Sequence, residues 1–182
     1  MKHIQSRNRT TDMVYTAMGA VLIALCAWIS IPTAVPFTMQ TFGVFLVLSA
    51  LGGKRGTAAI LLYLLLGTAG VPVFAQFTSG IGVLLGNRGG YLAGFLFTGL
   101  IYWLLTGLFG KKLRTEITAL VLGLAALYTF GTFWYVLVYA GTNGPVGIGT
   151  ALAWCVVPFI IPDLLKLGLA LLLSRRLSSV LK

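Results

Sequence analysis

The sequence predicts an all-α integral membrane protein. It would be one domain spanning residues 1–182, a bundle of six transmembrane helices with the N- and C-termini in the cytoplasm. Three observations carry this expectation. The 182 residues are 58% hydrophobic and only 9% charged, with mean hydropathy +0.98, a balance that soluble domains of this size do not sustain. The apolar residues gather into six runs on the scale needed to cross a bilayer at about 1.5 Å per residue. Finally, all but two of the 13 Lys and Arg residues fall in alternate connections of that layout, the bias that marks cytoplasmic loops. The same scatter argues against a basic nucleic-acid-binding face.

Taken in order, residues 1–12 are polar and carry Lys2, Arg7 and Arg9. They lead into a first span from Met13 to Ile31. That run has full length and lacks a signal-peptide cleavage pattern, so it is expected to be retained. A short turn from Ile31 to Pro36, bounded by Pro32 and Pro36, precedes a second span from Phe37 to Leu51. Gly52, Gly53, Lys54, Arg55 and Gly56 end it, and Thr57 to Gly70 is the third span. Val71 to Gly90 reads as a long Gly-rich loop holding Gln76, Thr78, Ser79, Asn87 and Arg88. Tyr91 to Phe109 is the fourth span, closed by Lys111, Lys112 and Arg114, and Ile117 to Ala140 is the fifth. A Gly-rich turn, Gly141 to Gly149, leads to the sixth span, Ala151 to Ser174, which Arg175, Arg176 and Lys182 follow. The 31–36, 71–90 and 141–149 connections are then outside.

The two bases that topology leaves unexplained are Arg88 and Lys166. Lys166 lies within the sixth span, three residues after Asp163, one of only three acids in the chain. An ionised group at a helix centre costs about 2.5–3.5 kcal/mol on insertion scales. The i,i+3 spacing puts the two on one helix face, where each offsets the other's cost. Pro162 removes a backbone donor just before Asp163 and is expected to kink or break the helix there. Arg88 stands at a helix entrance, where the dipole disfavours a base. With Asn87, and ahead of Gly89, Gly90 and Tyr91, it is placed to clamp a carboxylate. Gln40 in the second span and Gln76 in the loop complete the candidate polar set. This polar face is expected to form a small-molecule pocket inside the bundle.

Small residues supply a second pattern. Ala17, Ala20, Ala24 and Ala27 form one stripe on the first helix, either internal packing or a docking face for another membrane protein. Gly86, Gly90 and Gly94 repeat every four residues where the fourth helix begins, as close packing and a tight turn require.

Several chemistries are excluded. Gly53-Lys54 is followed by Arg55, so there is no phosphate-binding G-x-x-x-x-G-K-[ST] loop. There is no Ser/His/Asp set and no second acid near Asp163 in sequence. His3 is the only histidine, and Cys26 and Cys155 fall in separate apolar runs, so neither a soft metal site nor a disulfide framework is expected. No cofactor is called for. A binding or transport subunit fits better than a hydrolase.

Five segments carry a family resemblance: VPFTMQTFGVF at 35–45, LGGKRG at 51–56, LLLGTAGVPVF at 64–74, GIGVLLGNRGGYLAGF at 80–95 and VPFIIPDLLK at 157–166. In these, and most specifically in GGYLAGF and P-D-x-x-K, the chain resembles BioY, the biotin-specific substrate-capture (S) component of energy-coupling factor transporters. The resemblance implies six helices in the cytoplasmic membrane and a pocket open to the outside. It implies two kinds of partner, a membrane scaffold subunit and two cytoplasmic ATPases, with docking through Ala17, Ala20 and Ala24. It also implies biotin as substrate. Asp163 would accept from the urea N–H groups, and Asn87 or Gln40 would donate to the urea oxygen. Lys166 would either neutralise the ligand's carboxylate or hold Asp163 ionised. Tyr91 and neighbouring aromatic rings would enclose the bicycle. A solitary carrier, or an S component for thiamine or riboflavin, is the alternative.

Overall fold

The computed structural model describes residues 2–31, 37–144 and 146–180. The expected turn at Pro32–Pro36 and the basic Lys182 lie outside the described residues. Eight helices stand among the described residues: α1 Lys2–Trp28, α2 Gln40–Leu51, α3 Gly53–Thr68, α4 Ile81–Leu85, α5 Gly89–Phe109, α6 Leu113–Asn143, α7 Ile148–Cys155 and α8 Val157–Val180. A two-residue antiparallel ladder, β1 Ser30–Ile31 with β2 Phe37–Thr38, joins α1 to α2. By length and composition, α1 (from Arg9), α5, α6 (to Gly141) and α8 (to Leu177) can cross a membrane. The 12-residue α2 is apolar but shorter.

The departures from six uninterrupted runs have local causes. Lys54 and Arg55 belong to α3, not to a loop, because Gly52 alone turns the chain with φ 82°, a left-handed backbone that glycine adopts without strain. Gly53 then lets α3 start against the backbone of Trp103. The 71–90 stretch is folded: a single 3₁₀ turn at Ala75–Phe77 precedes α4, and α5 opens at Gly89. The sixth run divides into α7 and α8 at Val156. Pro158, two residues later, lacks the N–H that would continue α7's ladder. Pro162, by contrast, sits within α8 without interrupting it, which corrects the expected break.

The core is organised around α2. Gln40, Thr41 and every residue from Gly43 to Ser49 are buried, as a helix enclosed on all sides must be. It packs against α1, α3 and α8, while α5 and α6 form the most extensive helix pair. Gly90 and Gly94 admit Trp134 and Leu127 of α6 at that pair, the close approach expected of that glycine series; Gly86 instead faces its own preceding turn. The alanine stripe needs correction as a docking face. Ala20, Ala24 and Ala27 are all buried in the core cluster, and only Ala17 is exposed. Between them Gly19 nests against Ala59 of α3 and Leu51 and Val47 of α2, so these small residues serve contact within the chain.

Candidate functional site

Asp163 and Lys166 lie on the first half of α8, 3% and 5% exposed. Their pairing is direct, Lys166 Nζ to Asp163 Oδ1 at 2.8 Å. The same ammonium donates to the Thr38 carbonyl at 2.7 Å and to Thr41 Oγ1 at 3.2 Å. It also stands 4.4 Å from the centre of the Phe37 ring, a favourable cation–π contact. Thr41 Oγ1 in turn donates to Asp163 Oδ1 at 2.8 Å, and Tyr128 on α6 donates its hydroxyl to Oδ2 at 2.7 Å. Three elements therefore converge on one carboxylate. Such convergence is what makes an ion pair tenable in a low-dielectric interior, where an unpaired charge is costly.

Local folding explains the convergence. The β1–β2 ladder pairs Ser30 with Thr38 and Ile31 with Phe37. This fixes Phe37 and the Thr38 carbonyl beside α8, where Phe37 stacks on Phe159 with 5.9 Å between ring centroids. Thr38 Oγ1 receives the Gln40 backbone N–H at 3.2 Å, so the strand ends directly in the first turn of α2. Gln40 and Thr41 are thereby delivered to the site as adjacent residues.

The pair closes one side of a cavity. Thr38, Gln40, Thr41, Phe74, Ala75, Thr78, Val83, Arg88, Tyr91, Leu92, Phe95, Leu127, Tyr128, Cys155, Phe159, Asp163 and Lys166 line it. Of the residues singled out from sequence, Asp163, Lys166, Gln40, Arg88 and Tyr91 are brought together here. Asn87 lines an adjoining groove with Thr78, Val83, Gly86 and Arg88. Gln76, at φ 60° in the 3₁₀ turn, lines neither. Arg88 precedes α5 as its cap, half-buried, and among the described residues its guanidinium has no hydrogen-bond or ion-pair partner.

The walls rest on glycines that admit rings. A Cβ at Gly67 would enter the ring of Phe74, and one at Gly131 would enter that of Tyr91. Tyr91 is then held by a hydroxyl contact with Thr132 at 3.2 Å. Phe74 meets Tyr63 edge-on, and Gln40 Nε2 donates to the Tyr63 hydroxyl at 2.9 Å. Thr38, Thr41 and Tyr128 are the contributors that sequence reasoning missed as site residues. Thr41 had one usable signal, its place beside Gln40 in the 35–45 segment. Tyr128 offers in sequence only a hydroxyl within an apolar run, with nothing beside it to single it out. Chemically, the cavity offers apolar and aromatic walls, a self-neutralised polar floor and an unpartnered cation, which suits a small ligand with a polar head, an apolar body and an acidic tail.

Comparison with known proteins bears on this site. The model of a family described as the BioY family matches residues 1–182. A protein of Thermotoga maritima named "Biotin transporter BioY" is 37% identical over 173 residues, covering 93% of this chain and 96% of that protein. A Pyrococcus horikoshii protein named "Probable biotin transporter BioY" is 35% identical over 170 residues, covering 93% and 97%. Among solved structures, the crystal structure of the S-component for biotin from an ECF-type ABC transporter superposes with a TM-score of 0.81 at 27% identity, covering 95% of this chain and 93% of that one.

Proposed function

This chain belongs to the BioY family, and from that premise we propose that it captures biotin for uptake across the cell membrane as the substrate-binding S component of an ECF-type transporter. It is a multi-pass membrane protein and a transport subunit rather than an enzyme. A solitary carrier, or a subunit for thiamine or riboflavin, is not favoured, because the relatives are biotin transporters. The observation that carries the reading is the buried Asp163, tied to Lys166 yet lining a cavity. An ionisable pair kept at membrane depth marks a functional site.

Biotin has a cyclic urea, an apolar bicycle and a carboxylated chain. Asp163 accepts from the urea, and Gln40 has an amide N–H beyond the one given to Tyr63 with which to meet the urea oxygen. Phe74, Tyr91 and Phe159 enclose the bicycle. The carboxylate goes to Arg88, with Asn87 beside it in the adjoining groove. Lys166 holds Asp163 rather than the ligand's acid, since its three N–H donors are already engaged.

In the membrane, α1, α2, α3, α5, α6 and α8 are the six spans, and α4 and α7 are short helices on the outer side. The basic clusters put both termini in the cytoplasm. The partners are a membrane scaffold subunit and two cytoplasmic ATPases, for the chain has no phosphate-binding loop of its own. The scaffold meets α1 on its exposed face, at Ala17, Val21 and Leu25, since Ala20 and Ala24 are enclosed.

Calorimetric titration of the purified protein with biotin tests the reading. Tight binding is expected, and Asp163→Asn weakens it by about tenfold or more, the scale of one hydrogen bond to a charged group. Unchanged affinity in the variant would defeat it.

A further inference from the structure

The hydrogen-bond donors around Asp163 are few and all engaged. Lys166 has three N–H groups, directed to the Thr38 carbonyl, Thr41 Oγ1 and Asp163 Oδ1. Thr41 has one O–H, given to Asp163 Oδ1. Tyr128 has one O–H, given to Asp163 Oδ2. Every donor of this cluster is therefore consumed within it. Oδ1 already accepts two hydrogen bonds. What remains on the Asp163–Tyr128 side is acceptor capacity: a lone pair on Asp163 Oδ2 and the phenolic oxygen of Tyr128, 2.7 Å apart.

We infer that Tyr128 is a specificity-determining residue, which with Asp163 Oδ2 forms an acceptor-only edge that one urea N–H of the ligand must satisfy. The inference rests on the biotin reading above and sharpens it. Tyr128 acts in two ways. Its O–H fixes Oδ2 while Lys166 and Thr41 fix Oδ1, so the carboxylate cannot rotate to suit a different ligand. Its oxygen, having donated, can only accept. A ligand that presents an N–H at this edge completes the network. One that presents a methyl group or a carbonyl there leaves buried acceptors unpaired or opposes lone pairs, the arrangement that gives binding sites their largest rejection of close analogues. In a five-membered urea ring the two N–H bonds diverge, so a single edge engages one of them.

The test uses the full chain in lipid nanodiscs and three ligands: biotin and its two isomers methylated at one or the other urea nitrogen. In the wild type, one methyl isomer is expected to bind about tenfold or more weakly than the other. In Tyr128→Phe that discrimination is expected to collapse to within about threefold, because biotin and the accepted isomer weaken while the rejected isomer does not. A merely structural tyrosine would weaken all three ligands by the same factor, and that result overturns the inference. So does a wild type that binds both methyl isomers as well as biotin, a measurement that needs no variant to fold. A folded wild type that binds no biotin overturns instead the reading on which the inference rests.

Discussion

Asp12, Glu116 and Asp163 are the only acids in the chain, and each joins two or more elements. Asp12 on α1 pairs with Arg55 on α3 at 2.5 Å. Glu116 on α6 accepts from the Tyr102 hydroxyl of α5 at 2.7 Å. Asp163 on α8 gathers α2 and α6. The third is the most exacting, since both its charges are buried. Removing one of them leaves the other uncompensated, which costs about 3–5 kcal/mol, whereas removing both is far milder. Lys166→Met is therefore expected to lower the thermal unfolding midpoint in detergent markedly. The double variant Asp163→Asn/Lys166→Met is expected to recover most of that loss while failing to bind biotin. A double variant as unstable as the single one would show that the pair does not act as a unit. This pair was legible in the sequence because charge in an apolar run is expensive enough to demand a reason. Thr41 and Tyr128 were not, because a hydroxyl in a span costs little and serves equally well in packing, backbone bonding or an interfacial belt.

At the scale of elements, the four helices long and apolar enough to cross a membrane were legible from apolar length, and the interruptions between helices were not. Glycine and proline mark where a helix can break without deciding whether it does. Pro162 lies inside α8 and Pro158 follows a break at Val156, although both stand in the same apolar run. What decides is whether neighbouring segments hold the new direction. For α7 and α8 that neighbour is the cavity wall, to which Cys155 and Phe159 contribute from either side of the break. Glycines differ in the same way. Gly52 has φ 82° and open space where a Cβ would stand, while at Gly67 a Cβ would enter the Phe74 ring. Gly52→Ala is expected to cost about 1 kcal/mol of backbone strain and to leave ligand binding intact. Gly67→Ala is expected to displace Phe74 from the cavity and weaken biotin binding by about tenfold. Parallel unfolding and titration measurements separate the two effects. Equal losses of affinity in both variants would contradict the assignment of Phe74 to the ligand-facing wall.

Across the whole molecule, the two ends of the bundle differ in chemistry. Gln40 and Thr41 begin α2 at the cavity, and Ser49, near its other end, accepts at its carbonyl from the Lys111 ammonium at 2.5 Å. Arg88 caps the start of α5 beside the cavity, and Lys111 and Lys112 follow its far end. Asp163 lies early in α8 and Arg175 late, in a groove shared with Ser49, Lys111, Glu116 and Ser174. The cavity thus lies toward the end poor in basic residues, which is the external end in the orientation proposed above. The orientation is testable with single cysteines in a background from which Cys26 and Cys155, both buried, have been replaced. Thr78→Cys, on the boundary between the cavity and its adjoining groove, is expected to react with a membrane-impermeant maleimide added to intact cells, and biotin is expected to slow that reaction. Lys112→Cys is expected to react only after the membrane is permeabilised. The reverse pattern would invert the molecule in the membrane and place the cavity mouth on the cytoplasmic side, where it could not collect an external vitamin. Protection of Thr78→Cys without a change in sidedness further separates occupancy of the cavity from a general rearrangement, because Lys112 sits at the opposite end of α5 and has no part in the cavity.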